Sequence, residues 1–193
     1  MSKGTSQKPG NEKPIPLLTV PNLVTLLRLM FAPFVAADIL DGYYRRAIAL
    51  CFVAGLTDVI DGLLARKMGE ATRAGAYLDP IADKILLSAI YVALGIAQAI
   101  PWWMVAIVFG RDILILGMAV YGILFTSIRK FPPSVWGKLS TFFQISAALM
   151  VMCSRAGFPA PVTLSIWLML AATGWSGIHY AWRGITLLRS NTN

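Results

Sequence analysis

The sequence predicts an all-α integral membrane protein: six transmembrane helices behind a short N-terminal interfacial segment, with both termini cytoplasmic. Three observations carry this. Of 193 residues, 57% are hydrophobic and 13% charged, with mean hydropathy +0.67. A soluble domain carries roughly twice that charged fraction. Long apolar runs alternate with short polar turns, as expected of helices that satisfy their own backbone groups in lipid. Lys and Arg also segregate. With the N-terminus inside, inner segments hold Lys3, Lys8, Lys13, Arg28, Arg66, Lys67, Arg73, Arg129, Lys130, Lys138, Arg183 and Arg189. Outer segments hold Arg45, Arg46 and Arg155, while Lys84 and Arg111 fall within spans. Twelve against three fixes the orientation.

The net charge of +8 reads as juxtamembrane Lys and Arg facing anionic headgroups, not as a nucleic-acid surface. Cys51 and Cys153 sit in apolar stretches without metal-site spacing. They read as buried thiols and carry no redox message.

Residues 1–13 are polar, lack apolar residues to bury, and read as a disordered cytoplasmic tail, not a signal peptide. Pro14–Val20 is the interfacial approach. Asn22 is placed as N-cap of the first span, Leu23 to about Leu40. Asn22, Thr25 and Arg28 follow at three-residue steps on one face. They either cap and snorkel or border a functional site. Asp38–Arg46 is an outer turn with interfacial tyrosines, and the second span runs from Ala47 to about Ala65. Gly69–Gly75 can turn the chain. Asp79-Pro80 is expected to open the third span, which ends near Gln98, with proline in the first turn. Ala99–Trp103 is a turn with an aromatic anchor. Met104–Phe125 is the fourth span and holds the Arg111-Asp112 pair. That pair is either structural or helps bind a substrate. Thr126–Lys138 is a polar connection bearing Arg129, Lys130 and Lys138. Leu139 to about Ser154 and Pro161 to about Trp182 complete the spans. His179 reads as interfacial. The membrane domain is thus 14–183, with a polar tail over 184–193.

The chain is organised around Asp58–Asp83. Four of its nine acidic residues, Asp58, Asp61, Asp79 and Asp83, fall there between hydrophobic flanks. Carboxylates near hydrocarbon persist when paired, ion-bound or facing water. Spacings of three and four put each pair on one helical face, so two antiparallel helices would offer four carboxylates to one space. Such oxygen donors suit a hard cation, Mg²⁺ or Mn²⁺. Gly62, Ala65 and Gly75 leave room for a flat ligand, and Arg66 offers a planar fork for phosphate. The set points to phosphoryl chemistry on a nucleotide-like substrate. Lys84 reads as charge balance within the acidic cluster.

The pattern Asp58-x2-Asp61-Gly62-x2-Ala65-Arg66-x8-Gly75-x3-Asp79-x3-Asp83 resembles the signature of the CDP-alcohol phosphatidyltransferase family at every fixed position. The resemblance runs from about Pro21 to about Ala147. It implies transfer of a phosphatidyl group from CDP-diacylglycerol to an alcohol, with release of CMP. It also implies that Asp58, Asp61, Asp79 and Asp83 hold one or two divalent cations. Asp58, Asp61, Gly62, Ala65, Arg66, Gly75 and Asp79 would bind the CDP portion, and Asp83 would act as catalytic base. Asn22, Thr25 and Arg28, with Lys138, resemble members that use glycerol-3-phosphate. Ala82–Leu86, Tyr91-Val92 and Arg111-Asp112 resemble members that use phosphatidylglycerol and make cardiolipin. Arg111, Arg129, Lys130 and Lys138 are the candidates for acceptor or phosphate binding. Membrane lipids are the other partners, a homodimer is implied, and the bacterial inner membrane is the expected location, with the site facing the cytoplasm. The competing class is an ion or proton transporter, but no second acidic cluster repeats the first.

Overall fold

The computed structural model describes residues 20–68, 73–125 and 135–190. For 20–25, 58, 59, 61–68, 73–81, 118–125, 181 and 183–190 it describes the helical backbone alone. Among the described residues there are six α-helices and no strand: α1 Val20–Leu40, α2 Tyr44–Met68, α3 Arg73–Ile96, α4 Trp102–Phe125, α5 Val135–Arg155 and α6 Val162–Ser190. One described helix, Val135–Arg155, is long and apolar enough to cross a membrane by length and composition.

Several helix ends differ from expectation. α1 starts at Val20, so Asn22 lies inside its first turn and does not cap it. Pro21 fits that turn because its missing N–H has no intrahelical partner there. α3 starts at Arg73, not at Asp79, which places Gly75 in the first turn and Pro80 well inside the helix. Ala74, Ala76 and Leu78 are good helix formers, and they extend the helix upstream of a proline that removes one backbone bond. α6 continues to Ser190 through the expected tail, since Leu187, Leu188 and Arg189 also favour helix. The expected disordered tail over 1–13, the interfacial segment over 14–19 and the basic stretch over 126–134 lie outside the described residues.

The three described interhelical turns lie at one end of the bundle, and all three close in the same way. After α1, Tyr43 N–H donates to the Asp38 carbonyl at 2.7 Å and Gly42 N–H to Ile39 at 3.2 Å, with Gly42 at φ +79°. After α5, Phe158 N–H reaches Cys153 at 2.9 Å and Gly157 N–H reaches Ser154 at 3.1 Å, with Gly157 at φ +88°. After α3, Ala99 N–H reaches Leu94 at 2.9 Å and Gln98 N–H reaches Gly95 at 3.1 Å, with Gln98 at φ +52°. These are Schellman caps, which need one left-handed residue. Arginines tie the turns together. Arg155 donates to the Gln98 carbonyl at 2.9 Å, and Arg45 donates to Ala156 at 3.3 Å while lying over the Phe158 ring.

The apolar core occupies this same end. Val35, Ile39, Ala47, Leu94, Met104, Val108, Val151, Met152 and Met169 pack together, all buried. They come from the late part of α1, α3 and α5 and the early part of α2, α4 and α6. Outward positions are also apolar, among them Phe34, Phe52, Leu116 and Trp167. That is the reverse of a soluble surface, where such patches stay small. Between lipid tails the core gains close van der Waals fit, not relief from water. Cys51 and Cys153 are half-buried free thiols.

Candidate active site

The other end of the bundle carries the signature. The α2 backbone bears Asp58, Asp61, Gly62, Ala65 and Arg66 in its final turns, and α3 bears Gly75, Asp79 and Asp83 in its opening turns. Side chains of the first seven lie outside the described residues, as do those of Asn22 and Thr25 and the whole of Arg129 and Lys130. Asp83 is described. Its side chain is 61% exposed, and its carboxylate accepts a hydrogen bond from Nη1 of Arg28, whose side chain is 4% exposed. Arg28 therefore does not snorkel. It is buried in α1 and ion-pairs with α3. A guanidinium in such a place is stable only with a hydrogen-bonded counter-charge.

A second polar chain begins one residue later. Lys84 Nζ lies 2.5 Å from Asp112 Oδ1, so its partner is on α4 and not in the acidic cluster. The same oxygen accepts from Arg111 Nη1 at 2.7 Å. Arg111 Nη2 donates to the Gly137 carbonyl at 3.0 Å and reaches Ser176 Oγ at 3.4 Å. Arg111 is thus buried among α4, α5 and α6, rather than facing an open pocket. Gly137 lies against side chains of both neighbouring helices. A Cβ there would sit 3.0 Å from Tyr180 Oη and 3.4 Å from Arg111 Nη2. The next residue, Lys138, is exposed on the first turn of α5. Deeper between α5 and α6, Thr173 Oγ1 meets Ser140 Oγ at 3.2 Å and Gln144 Nε2 at 3.3 Å. Tyr91 of α3 donates to the Gln144 carbonyl at 3.0 Å.

The sequence model described as CDP-alcohol phosphatidyltransferase matches residues 18–189. That match takes in all six helices and both halves of the signature. The chain belongs to the CDP-alcohol phosphatidyltransferase family. It is 33% identical over 174 residues to a probable phosphatidylglycerophosphate synthase of Mycobacterium tuberculosis, covering 85% of this chain and 80% of that protein. It is 33% identical over 141 residues to the CDP-diacylglycerol--glycerol-3-phosphate 3-phosphatidyltransferase of Aquifex aeolicus, covering 69% and 75%. It is 31% identical over 134 residues to a probable cardiolipin synthase (CMP-forming) of Drosophila melanogaster, covering 69% of this chain and 41% of that longer protein.

Within this phosphatidyltransferase fold, the two helices bearing the signature supply four carboxylates, a donor set of hard oxygens that suits Mg²⁺ or Mn²⁺. Among the described residues no three His, Cys, Asp or Glu side chains gather; of the four carboxylates, the side chain of Asp83 alone is described. Sequence reasoning did not single out Ser176, Tyr180 or Gly137 as contacts of Arg111 and of one another. A signal existed. Gly137, Ser140, Thr141 and Gln144 on α5, and Thr173, Ser176 and Tyr180 on α6, recur at three- and four-residue steps. Each series is a polar stripe on an apolar helix, the pattern of a helix–helix contact held by hydrogen bonds.

Proposed function

We propose that this chain transfers a phosphatidyl group from CDP-diacylglycerol to glycerol-3-phosphate, giving phosphatidylglycerophosphate and CMP. The observation that carries the proposal is Asp83: an exposed carboxylate held by a buried arginine, last in the family signature. A base must reach solvent-borne substrate while its orientation is fixed from behind. The acceptor hydroxyl attacks the phosphorus bearing diacylglycerol, and Asp83 takes its proton. The bond to the oxygen between the two phosphates breaks, and CMP leaves with the electron pair.

Arg66 binds the diphosphate, and Gly62, Ala65 and Gly75 border the cytidine and ribose. Asp58, Asp61, Asp79 and Asp83 would hold one or two divalent cations, which when bound neutralise the diphosphate and the departing CMP. Lys138, with Arg129 and Lys130, holds the acceptor phosphate, and Asn22, Thr25 and Arg28 border the site. Glycerol-3-phosphate is favoured by two relatives, one named for it and one for phosphatidylglycerophosphate, that are matched over 75% and 80% of their length, against 41% to 64% for three cardiolipin synthases. A cardiolipin synthase using phosphatidylglycerol is the second reading, favoured by Arg111-Asp112 and by those three relatives. The chain spans the bacterial inner membrane six times as a homodimer, as one membrane domain over 14–183, with both termini and the site at the cytoplasmic side.

The test is CMP release from CDP-diacylglycerol by purified protein, with Mg²⁺ or Mn²⁺ and with chelator. Glycerol-3-phosphate, phosphatidylglycerol, inositol phosphate and serine are offered in parallel. Metal-dependent release with glycerol-3-phosphate alone is expected. Release with phosphatidylglycerol alone selects the second reading, and release with no acceptor rejects both.

A further inference from the structure

We infer that Arg111 is a positioning residue for the acceptor side of the site: it fixes the peptide plane that leads into Lys138 and links that plane to α3. The structural half stands on geometry, and the functional half rests on the acceptor role given to Lys138 above. The carbonyl that Arg111 Nη2 engages at 3.0 Å belongs to Gly137. That carbonyl shares one rigid peptide unit with the amide nitrogen of Lys138. The other end of the same guanidinium holds Asp112 Oδ1 at 2.7 Å, and Asp112 also holds Lys84 at 2.5 Å. Lys84 adjoins Asp83. One continuous polar chain therefore runs from the residue beside the proposed base to the peptide preceding the proposed phosphate-binding lysine.

Two further observations point the same way. Gly137 lacks the Cβ that would sit 3.0 Å from Tyr180 Oη and 3.4 Å from Arg111 Nη2, so its absence lets both side chains press on the backbone at this point. Arg111 itself is buried, whereas Lys138 is exposed. The arginine is placed to shape the pocket wall, and the lysine to meet the ligand. The chemistry requires arginine. A planar fork reaches two acceptors in fixed directions, while an ammonium is a single point charge. Lysine at 111 would keep the charge and lose the bridge.

The experiment compares Arg111→Lys and Gly137→Ala with wild-type protein. Steady-state CMP release gives the acceptor and donor KM, and amide hydrogen exchange is followed over residues 139–143. Both variants are expected to raise the acceptor KM about fivefold or more, to leave the donor KM within about twofold, and to speed exchange in α5 while α1 and α3 are unchanged. A direct phosphate contact by Arg111 would be largely rescued by lysine. An acceptor KM near wild type in Arg111→Lys, or unchanged α5 exchange, therefore overturns the inference. If Arg111→Lys fails to fold, Gly137→Ala carries the same criteria. If wild-type protein releases no CMP with any acceptor, the phosphatidyl-transfer reading falls, and exchange alone decides whether Arg111 holds this turn.

Discussion

Arg28 and Asp83 divide one ion pair unequally: the guanidinium is buried and the carboxylate faces outward. Burying the arginine is costly without a hydrogen-bonded counter-charge beside it, so the pair holds Asp83 aimed. Asp83→Asn removes the proton acceptor but preserves shape. Turnover is expected to fall by about 10²–10⁴-fold, with CDP-diacylglycerol binding largely retained in a direct titration. Near-normal turnover would remove Asp83 as base. The carboxylates and their spacing were legible in the sequence, because helix periodicity links positions three and four apart. The partners were not. Arg28 lies 55 residues from Asp83, and Lys84 passes over its acidic neighbours to reach Asp112 on another helix. Charge pairing over such separations is decided by how helices pack, which local spacing does not encode.

Helices themselves were legible, since each apolar run became one helix. Their ends were less so. Propensity at Arg73–Leu78 and Leu187–Arg189 outlasts the hydrophobic stretch, and Pro80 is accommodated rather than terminal. The turns obey stricter chemistry. Gly42 and Gly157 have open space where a Cβ would go, so alanine there would be penalised only by its positive φ. Each of Gly42→Ala and Gly157→Ala is expected to destabilise by about 1 kcal/mol, read as a lower thermal midpoint in detergent. Gln98→Gly is expected to shift it the other way, by up to about 1 kcal/mol, because glycine tolerates the left-handed region at an entropic cost. No change in the glycine variants would mean that these turns relax freely.

The bundle has two unlike ends. One holds the apolar core and three tied turns; the other holds the Arg28–Asp83 and Lys84–Asp112 pairs, Lys138 and the signature. The proposed topology puts the second end in the cytoplasm. With Cys51 and Cys153 replaced by serine, a cysteine at exposed Tyr43 should react with an impermeant thiol reagent added outside intact cells, and a cysteine at Lys138 should not. The reverse pattern would invert the orientation.

Tying the turns at one end makes each helix a lever. A 24-residue helix such as α3 is about 36 Å long, so a tilt of about 5° about its clamped turn carries the far tip about 3 Å. A pivot at the clamped end thus becomes a stroke at the signature end, comparable in length to a single hydrogen bond. Small rotations that leave the clamped core packed are enough to widen or narrow the space between the signature-bearing ends of the helices.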